Sequence, residues 1–283
     1  MRLARRGAPG YELPLVEVDG TLYDASCVGD FGPDFWAAGG PGQLRCLLDE
    51  GHLTPVTVDE SVRYGAPVAT ASAVICIGQN YAAHAAESGA EPPKNPIVFF
   101  KTPNTIAGPN DDVTLARGSE KTDWEVELAI VIGSRAAYCD SIEDAARHIG
   151  GYVLANDLSE RAFQFDVSGG QWSKGKCSPG YMPLGPWIVT ADEFDPSDVR
   201  LRSWVNGEGR QDSRTSDMIF SCAEIVRDLS QYMQLEPGDV ISTGTPQGVA
   251  VSGRFRYLQP DDVVEVEIDG LGRQRQMYRA WRA

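Results

Sequence analysis

The stretch Asp123-Trp124-Glu125-Val126-Glu127-Leu128-Ala129-Ile130-Val131-Ile132 carries two patterns at once, and together they set the fold. In a strand, side chains two apart share a face. Val126, Leu128, Ile130 and Ile132 therefore line one side, while Glu125 and Glu127 share the other with the apolar Ala129 and Val131. The two carboxylates converge at the mouth of a partly buried sheet surface, where like charges raise each other's pKa or demand a cation. The next strand-like run, Gly151-Tyr152-Val153-Leu154-Ala155-Asn156, ends on a third acid, Asp157. Three oxygen ligands from neighbouring strands suit Mg²⁺, Mn²⁺ or Ca²⁺ better than zinc, which favours His and Cys. From spacing alone two plainer readings stay open: Glu-x-Glu as a solvated strand face, and Asp157 with Ser159-Glu160 as a helix cap.

On either side of this stretch, further strand-like segments fall at Val74–Ile77, Ile97–Phe100, Trp187–Thr190, Val240–Thr243 and Val263–Ile268. Helical patterns are fewer: Gln43 to Glu50, Ser141–Ile149 and Ser221–Met233, the last with Ile225, Leu229, Tyr232 and Met233 near helical spacing and a stop at Pro237-Gly238. Strands outnumbering helices, with Gly/Pro-rich turns between them, predict an α+β, mainly β fold with a closed or rolled sheet. Near the start, Leu13–Val18 and Thr21–Tyr23 flank Asp19-Gly20, a dipeptide suited to the two positive φ angles of a type I′ hairpin turn. Tyr64 to Ser72, with Gly65, Pro67 and several small residues, reads as a linker. The expected organisation is a small N-terminal β-rich domain, 1–68, ahead of a catalytic domain, 69–283.

The 283 residues carry a formal charge of −15, which argues against general nucleic-acid binding. No stretch reaches the roughly 18 consecutive apolar residues of a membrane span. Six cysteines are scattered without a C-x-x-C pair, so neither a zinc ribbon nor a disulfide framework is expected. Arg5-Arg6 is followed by Gly7-Ala8-Pro9-Gly10 rather than an apolar run, so no export signal is read and the cytoplasm is the expected compartment.

After Gly78, the run Asn80-Tyr81-Ala82-Ala83-His84-Ala85-Ala86-Glu87 is helical in pattern and puts His84 and Glu87 on one face at i, i+3. A carboxylate hydrogen-bonded to an imidazole raises its basicity, which activation of water requires, although the same pair also reads as a surface ion pair. The glycine-rich segments Gly169–Lys176 and Thr243–Val249 match neither a Walker A loop nor a G-x-G-x-x-G fingerprint, so nucleotide binding is not supported.

Several motifs, in order, resemble the fumarylacetoacetate hydrolase family over roughly Ile75 to Glu267. They are Gly78-Gln79-Asn80-Tyr81 with His84 and Glu87, Lys101, Asp123 through Glu127, Asn156-Asp157-Leu158-Ser159-Glu160-Arg161, Gly175-Lys176, Pro183-Leu184-Gly185-Pro186 and Thr243-Gly244-Thr245-Pro246. The resemblance implies a mixed β-roll, usually in a homodimer, with Mg²⁺ or Mn²⁺ held by Glu125, Glu127 and Asp157. It implies an anionic keto-acid substrate, with carbon–carbon cleavage, decarboxylation or enol isomerisation as the available reactions. Glu160 to Gln164 with Gly169 to Trp172 resemble most the branch acting on 2,4-diketo-3-deoxy sugar acids, often labelled ureidoglycolate lyase-like. The expected roles are His84, Glu87 and Lys176 in catalysis, and Lys101, Arg161, Gln164 and Thr245 in holding substrate. Cleavage of an acylpyruvate with release of pyruvate is the reading adopted. Oxaloacetate decarboxylation, enol isomerisation and a catalytically lapsed binding protein are its rivals.

Two positions depart from the family pattern. Pro179-Gly180 replaces an Asp-Thr pair after Lys176, and Ala250 stands where a glycine is usual. With Tyr181 and Met182 adding apolar surface beside the substrate, an altered acyl specificity is expected.

Overall fold

The computed structural model describes residues 1–87, 89 and 91–282. Its larger sheet runs, in spatial order, Thr21–Asp24, Leu13–Val18, Arg2–Arg6, Met182–Thr190, Ile149–Asn156, Val126–Ile132, Val240–Ser242, Val74–Gly78 and Ile97–Lys101. Val240–Ser242 lies parallel to Val74–Gly78 and the other pairs along this path are antiparallel, so the sheet is mixed. A second sheet holds Glu208–Arg214, Arg200–Val205, Val263–Ile268, Gly272–Arg279 and Val113–Thr114. The fold is α+β and mainly β.

Val126–Ile132 sits inside the larger sheet with every residue buried, and its two faces serve two cores. Val126, Leu128, Ile130 and Ile132 pack with Leu201, Val264 and Val266 of the second sheet and with Ile225 and Leu229 of the helix Cys222–Ser230. Ala129 and Val131 face the other way, into a cluster with Leu3, Phe35, Trp36 and Leu44 of the N-terminal segment. Small side chains suit that second face because helices Pro33–Ala37 and Gly40–Asp49 close down on it. Residues 1–68 therefore share a sheet and a core with residues 69–283: Arg2 pairs with Val189 and Leu3 with Ile188. Tyr64–Gly65, inside the expected linker, pairs back onto Arg5 and Arg6.

Local sequence accounts for the ends of these elements. Asp19 (φ 50°) and Gly20 (φ 79°) supply the positive angles of the hairpin turn. Ser221 and Glu224 form a reciprocal capping box that starts Cys222–Ser230. That helix ends three residues before the expected Met233, where Ser230 O accepts from Tyr138 N and Gln231 Nε2 donates to Cys139 O. Tyr232 N and Met233 N still donate to Leu229 O, so the chain leaves the helix through one more tightened turn.

Candidate active site and metal centre

Where Val126–Ile132 and Ile149–Asn156 run out together, the chain gathers four buried acids and three buried bases. Asp157 N donates to Glu125 O, fixing the two strand ends to each other. Carboxylate oxygens of Glu125, Glu127 and Asp157 then fall within 4.8 Å of one another. Lys176 Nζ donates to Glu125 Oε2 at 2.5 Å and to Asp157 Oδ2 at 2.7 Å. Lys101 Nζ donates to the other Asp157 oxygen and to Leu158 O. Arg161 spans Asp123 Oδ2 and Glu125 Oε1. Asp123, which the sequence pattern does not mark as a site residue, also accepts from the backbone of Ala250 and Val251, so it pins a distant loop to the cluster.

The charges do not balance. Asp123, Glu125, Glu127 and Asp157 face Lys101, Arg161 and Lys176, leaving one negative charge over, and Glu127 is the acid with no basic side chain bonded to it. Its Oε2 accepts from Ser242 Oγ and Gly244 N. Burial and then the Asp157 and Glu125 carboxylates push the Glu127 pKa well above the usual carboxylate range. For Glu125, burial acts upward as well, but Arg161 and Lys176 outweigh it and hold the carboxyl at about 2. Lys176 is raised in spite of burial because Asp157 and Glu125 flank it.

His84 stands on the short helix Ala82–Glu87, which follows Val74–Gly78. Burial lowers its pKa below 6.5, outweighing the pull of Glu125 and Glu87. Its Nδ1 has no hydrogen-bond partner among the described residues and lies 3.9 Å from Glu87 Oε2, longer than a hydrogen bond. Glu87 is held elsewhere: Gly248 N donates to Oε2 at 3.0 Å and Arg254 Nη1 to Oε1 at 3.1 Å. The expected His84–Glu87 contact is thus present as proximity rather than as a bond.

A cavity of about 390 Å³ opens on this cluster and is lined by Glu125, Glu127, His84, Glu87, Lys176, Arg161, Gln164 and Thr245. Lys101 and Asp157 lie behind that lining, with Lys101 acting as the counter-ion of Asp157. Gln164 Oε1 accepts from Arg161, and Thr245 Oγ1 bridges Gln211 Nε2 and Val126 O. Phe99, Phe165 and Trp172 form an aromatic wall that the sequence reading missed.

The profile of the fumarylacetoacetate (FAA) hydrolase C-terminal domain matches residues 73–277. The chain belongs to the fumarylacetoacetate hydrolase family. A Burkholderia multivorans protein provisionally named a hydrolase is 43% identical over 289 residues, covering 100% of both chains. Among solved structures, the 5-carboxymethyl-2-hydroxymuconate delta-isomerase of Mycobacterium smegmatis is 35% identical with a TM-score of 0.78, again over 100% of both chains. The maleylpyruvate hydrolase of a Sphingobium species, solved with manganese(II) and pyruvate, is 26% identical with a TM-score of 0.77 over 100% of both chains. The family therefore offers both hydrolase and isomerase chemistry on this frame.

The donor set in this family member fits a divalent cation. It is all oxygen, and its one acid without a basic partner among the described residues, Glu127, lines the cavity. The two departures from the family pattern are also accounted for. Ala250 lacks a positive φ and bonds Asp123 through its backbone N–H, so neither its backbone angle nor that bond requires a glycine there. Pro179-Gly180 form a turn outside the cavity lining, with Tyr181 N bonded to Ser178 O. Tyr181 and Met182 are fully buried, Tyr181 bonding Ala116 N and Thr122, so the expectation that they face substrate is overturned. The apolar surface beside the site comes from Phe99, Phe165 and Trp172 instead.

Proposed function

We propose that this protein is a divalent-metal-dependent hydrolase that cleaves the carbon–carbon bond of 2,4-diketo acids and releases pyruvate or a related keto acid. The observation that carries the reading is a buried imidazole, favoured in its neutral form, lining the same cavity as Glu125 and Glu127, whose carboxylates cluster with that of Asp157 just behind the lining. Glu125, Glu127 and Asp157 would hold Mg²⁺ or Mn²⁺. Such a cation, when bound, supplies positive charge to the keto-acid end of a substrate and to the enolate oxygen that develops there.

His84 takes a proton from water as its oxygen bonds to the distal carbonyl carbon. Glu87, 3.9 Å away, stabilises the imidazolium that results. The bond between that carbon and the methylene then breaks, its electron pair staying on the methylene carbon, which is reprotonated to give pyruvate beside the free acyl acid. Lys176, held ammonium by Glu125 and Asp157, adds electrostatic support on the cavity floor. Decarboxylation of oxaloacetate needs no activated water and leaves His84 without a task. The isomerase among the neighbours supports a second reading, in which His84 shuttles a proton between enol and keto forms and no water adds.

Assaying acetylpyruvate cleavage, oxaloacetate decarboxylation and enol–keto conversion side by side with Mn²⁺ decides among these. Cleavage should show the highest kcat/KM and be lost in His84→Gln. Faster CO₂ release from oxaloacetate, indifferent to His84→Gln, would hand the site to decarboxylation.

A further inference from the structure

One wall of the cavity differs in kind from the acidic floor it adjoins, where Lys176 Nζ lies 5.0 Å from the Phe99 ring centroid. Trp172 sits edge-on to Phe99 at 5.5 Å between ring centroids and edge-on to Phe165 at 6.1 Å, so three rings make one continuous apolar wall. The backbone is shaped to admit it. A Cβ at Gly78 would meet Trp172 Cζ3 at 2.5 Å, so Val74–Gly78 ends on the residue type that lets the indole close against the strand. Trp172 also directly precedes the helix Ser173–Lys176, so wall and floor are set by one short segment. The Phe165 ring is 41% exposed although it lines the cavity, which leaves apolar surface for a ligand to cover.

Among the described lining residues, no Lys or Arg is unpaired for a second anionic group. Among the described residues, the Lys and Arg side chains lining the cavity are Arg161 and Lys176, and both are engaged by Asp123, Glu125 and Asp157. Arg254, which reaches Glu87 from the exposed surface, is engaged by it. A distal carboxylate would exchange water for aromatic edges, a Glu87 already ionically paired and neutral polar groups such as Gln79 and Ser252, with no unpaired cation among the described lining residues to offset its desolvation. The volume allows a ring: a cavity of roughly 150 Å³ takes a benzene, and the 390 Å³ here leaves space for a pyruvate unit beside one.

We infer that this site selects 2,4-diketo acids whose acyl end is uncharged and flat, an aroyl or conjugated enoyl group, over those ending in a second carboxylate. The inference rests on the hydrolase reading for the reaction, but it concerns only which tail the wall accepts. The test uses acetylpyruvate, benzoylpyruvate and succinylpyruvate with saturating Mn²⁺, on the wild type, Trp172→Ala, Trp172→Phe and Phe165→Ala. Because the Phe165 ring is already partly exposed, its truncation leaves folding intact and keeps the test readable if Trp172→Ala does not fold.

Benzoylpyruvate should exceed succinylpyruvate by roughly ten-fold or more in kcat/KM, mostly through KM. Phe165→Ala and Trp172→Ala should shrink that ratio, and Trp172→Phe should restore part of it. Equal rates, or preference for succinylpyruvate, would overturn the inference while leaving the hydrolase reading standing. If none of the three is cleaved, calorimetric binding decides. Tighter benzoylpyruvate binding that is lost in Phe165→Ala upholds the tail selection without the hydrolase, and equal binding overturns it.

Discussion

On the cavity floor Glu125, Asp157, Lys101, Arg161 and Lys176 interlock as ion pairs, and even Glu127 accepts from Ser242 and Gly244. At the His84 side, by contrast, a buried imidazole nitrogen has no partner among the described residues, and the Glu87 carboxylate stands 3.9 Å off. The floor has its groups oriented before any ligand arrives, which suits binding and charge stabilisation. The His84 side retains unmet hydrogen-bonding capacity, which suits a group that must accept a proton from something arriving with the substrate.

The strongest test of that contrast removes the imidazole. His84→Gln should lower kcat/KM by roughly 10²–10⁴-fold, the usual worth of a general base, while the rise in melting temperature on adding Mn²⁺ survives. A parallel loss of the metal-induced rise would mean that His84 belongs to the floor. Breaking the floor should instead appear in stability. Lys101→Met leaves one Asp157 oxygen without its ammonium partner, and removing one partner of a buried pair costs about 3–5 kcal/mol. At roughly 2–4 °C per kcal/mol for a chain of this size, melting of the metal-free protein should fall by about 6–20 °C.

Glu127→Gln should not weaken the metal-free protein in this way, because burial and the neighbouring Asp157 and Glu125 carboxylates already favour the uncharged form of Glu127 there. Saturation at 100 times the dissociation constant contributes about 2.7 kcal/mol, hence a rise of about 5–10 °C with Mn²⁺ in the wild type. The variant should lose that rise without melting lower in EDTA. The smallest effect is on pH. Because burial lowers the His84 pKa, the base stays neutral to lower pH, and the acid limb of kcat/KM should lie below the ordinary value of 6.5. A limb above 6.5 would place a hydrogen-bonded, stabilised imidazolium where the structure has an unpartnered one.

The fold was legible where the signal is local. Alternation in Val126–Ile132, the Asp19-Gly20 turn and the Ser221 capping box each depend on residues within a few positions of one another. The carboxylate trio was legible as well, since Glu125 and Glu127 share a face and Asp157 ends the paired strand. What sequence alone did not show is set by long-range pairing. The ion pairs of Lys101 and Arg161 were hidden because their counter-charges lie 56, 38 and 36 positions away. The aromatic wall was hidden for the same reason: Phe99 and Trp172 meet only because Gly78 leaves room between distant segments. A glycine closing a strand beside a site was the available signal.

Cleavage by activated water at a metal-loaded floor is read out by product stoichiometry from acetylpyruvate in Mn²⁺ and in EDTA. Acetate and pyruvate should form in equal amounts, with release that stops in EDTA and resumes when Mn²⁺ is restored. An intact carbon skeleton after enol–keto conversion, or cleavage that continues unchanged in EDTA, would contradict that mechanism.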